Sequence, residues 1–284
     1  MDATILNSQT ANLPPVTDVS GGEWQDPRVI AGTDAPLVTV VVITSEADRE
    51  KWLADAIRSI PAFAEVVVCT TVKGDAESLT VDKYDSEEDV SFIECTYTHA
   101  GEFDFGRARN VAQQLAAGAW VFALDADERL VSTQHEYLRR ILTNAPGNIG
   151  CYYVSMVIHQ VHGRGKRMED KRFNYAIPRI YRRTGTDSTP LTWEWCVHEQ
   201  ILPSVAAHGY DCGDTALVVV HEGYLISVED MIAKKHRNLP RIMRQYQETP
   251  HTYLLSKLNA ETAELSALMA DRDADRLQGP IENV

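Results

Sequence analysis

The stretch Ala119-Trp120-Val121-Phe122-Ala123-Leu124-Asp125-Ala126-Asp127-Glu128 decides the fold class. Its first six residues form an unbroken apolar run with no polar alternation. Such a run reads as a strand buried on both faces, the pattern of a parallel sheet covered by helices. The run passes directly into an acidic turn. In open α/β sheets ligands bind beyond the carboxyl ends of the strands. The acids of this turn are therefore placed where chemistry is done.

The segments on either side repeat the pattern. Leu37–Thr44 (LVTVVVIT) is a second buried strand, and Glu46–Ile60 follows with helical period through Trp52, Leu53, Ala56 and Ile57. Glu65–Thr71 is a further strand and Val90–Cys95 another. Gly106–Gly118 reads as a helix with Ala108, Val111, Ala112, Leu115 and Ala116 on one face. Strand, helix and strand in short order predict a parallel sheet with right-handed crossovers. Thr133 and Glu136 have the spacing of a capping box that would open the next helix. Gly150–Val161, Ile177–Arg183 and Leu191–Ile201 are strand-like and aromatic, and Ala216–His221 is a last buried strand. From Ser227 the period turns helical, with Pro240 expected to kink or divide the helix. Thr252–Met269 is a second amphipathic helix, followed by an acidic tail that should fray.

The expected fold is α/β, a mixed, mainly parallel sheet flanked by helices, with a short C-terminal helical extension. Three regions follow: an extended arm over residues 1–35, anchored by Trp24; a catalytic domain over 36–225; and a helical extension over 226–284.

Composition bounds the function. The 284 residues carry 27 Lys and Arg against 41 Asp and Glu, a formal net charge of −14. That balance argues against a sequence-independent duplex binder, which needs a basic face. No apolar run reaches the roughly 18 residues of a membrane span. The N-terminus lacks the basic-then-apolar order of a signal peptide. The five cysteines are odd in number and widely spaced, without a C-x-x-C pair. A zinc cluster or disulfide framework is not expected, and a reducing, cytoplasmic compartment is.

Three groups of residues could do chemistry. Asp125 and Asp127, one residue apart at a strand tip, can address a divalent cation and a ribose; hard oxygen ligands suit Mg²⁺ or Mn²⁺. The alternative is a solvated acidic turn. Phe103–Asn110 (FDFGRARN) sits at an expected helix start, where backbone N–H groups favour anions and Arg107 and Arg109 add charged donors. The alternative is a helix with exposed basic residues. Cys196–Gln200 (CVHEQ) and Val220–Tyr224 (VHEGY) supply His221, an imidazole partner for Asp127, and Glu199, a candidate general base. Either residue could instead be a hydrogen-bonded structural group.

Taken in order, FDFGRARN, WVFALDADE, PRIYRR, WCVHEQILPS, VVVHEGY and the helix carrying Lys234, Lys235, Arg237 and Asn238 resemble the family 2 glycosyltransferases of the GT-A fold. The likeness spans about Leu37 to Arg244 and is closest to the subgroup reading F-x-x-A-R-N, L-D-A-D-E and H-E. It implies transfer of a sugar, with inversion, from a nucleotide-diphosphate sugar, a UDP-sugar foremost, to an acceptor hydroxyl. Residue by residue it places Thr44, Ser45, Arg109, Asn110 and Asp125 at the donor. It gives Asp127 and His221 to the metal, Mn²⁺ or Mg²⁺, and Glu199 to the base. The acceptor stays open among a glycan, a protein and a modified nucleic acid. Where the family has an Asp that grips the nucleobase, this chain has Cys69. That departure keeps a second reading open, a non-catalytic nucleotide-sugar or carbohydrate binder on the same fold.

Two further patterns carry less. Asp271, Asp273, Asp275 and Glu282 mimic a calcium loop, but Arg276 stands where the turn requires Gly. His162–Arg167 with Lys171 and Arg172 is the local basic cluster, either a solvated loop or an acceptor contact.

Overall fold

The computed structural model describes residues 13–26, 35–87, 90–158, 175–223 and 227–277. The basic cluster at 162–172 and Glu282 of the calcium-like pattern lie outside them.

In chain order the strands are β1 Val16–Asp18, β2 Val38–Ser45, β3 Glu65–Gly74, β4 Ser78–Glu87, β5 Val90–Ala100, β6 Trp120–Asp125, β7 Glu128–Leu130, β8 Ile149–Ile158, β9 Tyr175–Arg182 and β10 Asp211–His221. Glu46–Asp48, Arg49–Leu53 and Ala54–Arg58 make one helical run, α1, whose middle five residues are wound as a π-helix. The other helices are α2 Phe105–Ala112, α3 His135–Thr143, α4 Leu202–Ala207, α5 Val228–Glu248 and α6 Thr252–Leu277.

All ten strands join one sheet in the order β1-β4-β5-β3-β2-β6-β9-β8-β10-β7. Its centre, β5-β3-β2-β6, is parallel throughout. This is the mixed, mainly parallel sheet flanked by helices that the apolar runs predict. The parallel strands are apolar on both faces because both faces are covered. Val41, Val67, Val121 and Ala123 pack with α2 on one side, and Val40, Val68, Phe122 and Leu124 with α1 and α3 on the other. Burying a Val or Leu side chain fully contributes about 1.5–3 kcal/mol, so these central strands anchor the sheet.

Several local expectations change. The helix expected over Gly106–Gly118 stops at Ala112 and closes through a 3₁₀ turn, Gln113–Leu115, after which Ala116 is extended. The Thr133–Glu136 capping box does not form. A 3₁₀ turn occupies Ser132–Gln134, and α3 starts at His135 with no side-chain cap. Gln134 is drawn instead to β10, donating to the Ala216 carbonyl at 3.1 Å and accepting from the Val218 N–H at 2.8 Å. Pro240 does not divide α5, which runs unbroken to Glu248. Helix α6 continues past Met269 to Leu277, so Asp271–Asp275 lie on a helix rather than in a loop. The arm at 1–35, read as having no strand period, contributes β1, which pairs parallel with β4. Trp24 packs against Tyr84 with ring centroids 6.1 Å apart.

Candidate active site

Strand β6 ends at Asp125 beside Ile43 of β2, and the Ala126 N–H donates to the Ile43 carbonyl at 3.2 Å. The chain then crosses to β10, where Glu128 of β7 pairs with His221 in antiparallel register. The Glu222 N–H donates to the Asp127 carbonyl at 2.9 Å. Two segments almost a hundred residues apart are thereby stitched backbone to backbone, and their side chains meet. Asp127 Oδ2 lies 3.4 Å from His221 Nε2. Burial on its own would lower the imidazole pKa, but the Asp127 carboxylate beside it raises it instead.

Gly223 makes this meeting possible. A Cβ on it would fall 1.8 Å from Asp127 Oδ2 and 3.1 Å from His221 Nε2. No side chain fits there without displacing the aspartate.

Asp125 takes another role. Arg109 Nη2 donates to its Oδ1 at 2.8 Å, and Arg179 Nη2 approaches its Oδ2 at 3.3 Å. Burial would raise the Asp125 pKa; the two guanidiniums override that and hold the carboxyl far below the usual range. Glu128 closes the turn by accepting from the Asp125 N–H at 2.9 Å and from Arg179 Nη2 at 2.7 Å. It is buried, and burial pushes its pKa up to about 7 despite Arg179.

Arg109 joins this turn to the loop carrying Glu199. Its side chain is 1% exposed, its Nε donates to Glu199 Oε1 at 2.9 Å, and it lies 5.1 Å over the Trp193 ring. One guanidinium thus holds the strand-tip aspartate and the candidate base. Asn110, its neighbour, is fully buried and bonds the Trp193 backbone twice, donating to its carbonyl at 2.9 Å and accepting from its N–H at 2.8 Å.

The loop carrying Glu199 is tightly fixed. Glu194 and Gln200 exchange reciprocal backbone hydrogen bonds of 2.9 Å. Between them Trp195 and His198 adopt φ values of +73° and +57°. Non-glycine residues in that region are uncommon and collect at functional sites. Gly106 lets α2 approach this loop, since a Cβ there would lie 2.6 Å from the Trp195 carbonyl. On the other side Trp195 stacks on Tyr253 at 5.2 Å, His198 faces Glu261 at 3.2 Å, and the Cys196 N–H donates to Gln245 at 2.9 Å.

The start of α2 is not an open anion site. Asp104 caps it, accepting from the Arg107 N–H at 2.8 Å, and the Phe105 N–H donates to the Cys196 carbonyl at 3.0 Å. Arg107 forks onto Glu77 at 2.6 and 2.7 Å.

Thr44 and Ser45 end β2 next to the acidic turn. Thr44 is buried, and Ser45 caps α1, its Oγ accepting from the Asp48 N–H at 3.1 Å. Cys69 is fully buried in register between Ile43 and Cys95, inside the core on the α2 side. At the end of β3 Thr70 accepts from Arg49 at 3.1 Å and Thr71 donates to the Thr44 carbonyl at 3.0 Å.

The structure therefore brings together Asp125, Asp127, His221, Glu199 and Arg109, with Thr44 and Ser45 on the adjoining strand. Asn110 supports the loop from behind. Reading the sequence assigns no role to Arg179, Glu128 or Gly223. Arg179 sits at a bulge of β9, where the register against β8 shifts between Tyr152 and Tyr153. Bulges re-aim side chains, and a charged residue within a buried strand needs a buried counter-ion, which is the signal PRIYRR carried.

An open groove of about 990 Å³ lined by Gln113, Arg183, Thr189 and His208 lies at the opposite end of the central strands, where β6 begins and β9 ends. It shares no acidic residue with the cluster above.

No family model matches the chain, and no curated protein matches it. Among solved structures, the 1–349 fragment of Staphylococcus aureus TarS covers 71% of this chain at 16% identity with a TM-score of 0.40; the match spans 65% of that fragment. The same fragment in complex with UDP-GlcNAc matches 84% of this chain and 72% of its own at 14% identity, TM-score 0.39. The mannosyltransferase PcManGT from Pyrobaculum calidifontis, in complex with GDP-Man and Mn²⁺, matches 88% of this chain and 77% of its own at 15% identity, TM-score 0.41. At that level of likeness the function has to be read from this chain's own residues.

Proposed function

We propose that this chain is a metal-dependent, inverting glycosyltransferase of the GT-A type, moving a sugar from a nucleotide-diphosphate sugar to an acceptor hydroxyl. The observation that carries the reading is the pairing of Asp127 with His221 beside the tip of β6 and the joining of Asp125 to Glu199 through Arg109.

The residues fit a divalent ion. Among the described residues no three His, Cys, Asp or Glu side chains surround one point. Asp127 and His221, 3.4 Å apart, are the two residues that would hold such an ion, one through a carboxylate oxygen and one through an imidazole nitrogen. Mg²⁺ and Mn²⁺ commonly take one or two protein ligands and fill the rest with phosphate oxygens and water. The imidazole tilts the choice toward Mn²⁺. Bound there, the ion supplies positive charge to a diphosphate as it leaves.

The other residues orient and exchange protons. Asp125, held ionised by two guanidiniums, offers fixed acceptors to a ribose or sugar hydroxyl. Thr44 and Ser45 line the nucleoside side of the cleft. Arg109 contacts Glu199 through Oε1, which sets the direction of the carboxylate; Oε2 is the oxygen we assign to the acceptor proton. Attack by that hydroxyl on the face opposite the departing diphosphate is a single displacement and inverts the anomeric carbon. Placing fixed charges where negative charge grows is the largest catalytic contribution such a site can make.

The test is release of nucleoside diphosphate from UDP-, GDP- and dTDP-sugars, with Mn²⁺ and after chelation. Asp127→Ala is expected to abolish release while melting close to wild type. Wild-type turnover in that variant, or in chelator, would overturn the metal assignment. Sugar-nucleotide binding by the wild-type protein without release on any acceptor would favour the binding-protein reading.

A further inference from the structure

The sheet brings together cysteines that the sequence keeps far apart. Strands β8 and β10 run parallel, and Cys151 of β8 is the register partner of Cys212 of β10. Register partners on neighbouring strands project from the same face, with the strands about 4.8 Å apart. A disulfide spans Cα atoms about 4.4–6.8 Å apart, so this pair is placed to be bridged without moving a strand. Both thiols are free, and they hydrogen-bond each other.

The two differ in access. Cys151 is fully buried, and Cys212 is exposed. Strand β7 pairs with β10 only over Val219–His221, so Cys212 stands on a sheet edge. They also differ in acidity. The hydrogen bond from Cys151, joined by one from Tyr153, holds the Cys212 thiol down at about 7 against partial desolvation and the carboxylates of Asp211 and Asp214. The same pairing, together with burial, pushes the Cys151 thiol well up. An accessible thiol that ionises near neutral pH is the kind that attacks disulfides.

The other cysteines supply an internal comparison. Cys69 of β3 and Cys95 of β5 are also register partners on parallel strands, but they are 0% and 1% exposed. They have the placement without the access. Cys196 donates its thiol to Gln245 Oε1 at 2.9 Å.

We propose that Cys151 and Cys212 are a reversible thiol–disulfide pair, a modification site for small-molecule disulfides. The Cys212 thiolate attacks one sulfur of the reagent, forms a mixed disulfide and releases the first reagent thiolate. The Cys151 sulfur then attacks Cys212 and expels the second. Two protein thiols are oxidised, the reagent disulfide is reduced to two thiols, and the two protein protons go to them. The new bond joins the starts of β8 and β10, at the far end of β10 from His221. The pair is therefore independent of the glycosyltransferase reading.

The experiment is incubation of the full chain with oxidised glutathione, followed by an acid quench, digestion and peptide mapping by mass spectrometry. Wild type is expected to yield a Cys151–Cys212 linked peptide that dithiothreitol reverses, with Cys69 and Cys95 left as thiols. Cys151→Ser should stop at one glutathione on Cys212, and Cys212→Ser should leave Cys151 unmodified. Iodoacetamide should label Cys212 of the untreated wild type at least about 100-fold faster than Cys69 or Cys95, whose reaction waits on opening of the core. Thermal melts check that the variants are folded, and the wild-type map decides the matter if one is not. Glutathione held on wild-type Cys212 with no link to Cys151, a link from either residue to another cysteine, or a chain that stays fully reduced would each overturn the proposal.

Discussion

Replacing Arg109 by Met isolates the group that ties the acidic turn to the loop carrying Glu199. The change keeps most of the volume and removes the charge. Asp125 would keep Arg179 at 3.3 Å, but Glu199 would lose its 2.9 Å partner, and among the described residues it has no other ion pair. Stranding one member of a buried pair costs about 3–5 kcal/mol. Arg109→Met should therefore lose about 3–4 kcal/mol at pH 7, the lower part of that range because Asp125 keeps a second guanidinium. In melting temperature the pH 7 loss is about 7–14 °C for a chain of this size. Adding Glu199→Gln to Arg109→Met should recover part of it, with a coupling of about 2 kcal/mol in a double-mutant cycle. Urea unfolding of the four proteins at pH 7 measures all of this. A loss below about 1 kcal/mol, or a cycle with no coupling, would refute the claim that Arg109 holds the two carboxylates.

The other expectations are narrower. Gly223→Ala forces Asp127 off its position, since the new methyl would lie 1.8 Å from Oδ2. A misplacement near 1 Å lowers kcat/KM about 100-fold, and Mn²⁺ titration should show weakened metal binding at nearly unchanged Tm. Glu261 reports on the helices that back the Glu199 loop. Burial opposes its ionisation, but His198 and Lys235 hold its pKa down to about 2 against an ordinary 4.5. Its folded pKa lies below the unfolded one, so its contribution is full above pH 4.5 and is lost as pH falls toward 2. Between pH 7 and pH 3 the wild-type protein should lose about 2 kcal/mol more stability than Glu261→Gln, by urea unfolding.

The central strands and the acidic turn were legible because burial on both faces leaves an apolar signature that needs no tertiary information. Strand β4 left none: Leu79 and Val81 are buried while Asp82, Lys83 and Asp85 face solvent, and no assignment was drawn from the mixture. The Thr133 capping box failed because Gln134 gains two hydrogen bonds to β10, a partner more than eighty residues away. Cys69 stood out as a departure from the family pattern, and the structure gives it a plain meaning: that side chain points into the core on the α2 side, and Thr70, the next residue, turns to the opposite face. Arg109 was legible as a charged residue near the donor, but not as a buried bridge, because its two partners come from β6 and from a loop ninety residues downstream. Arg179 was hidden by the same non-locality, since a bulge cannot be seen in one strand alone.

The most direct measurement is anomalous diffraction at the manganese edge from crystals soaked with UDP and Mn²⁺. The account predicts one peak within ligand distance of Asp127 Oδ2 and His221 Nε2, with diphosphate oxygens completing its shell. A diphosphate bound with no peak between those two residues, or a peak at some other place in the cleft, would contradict it.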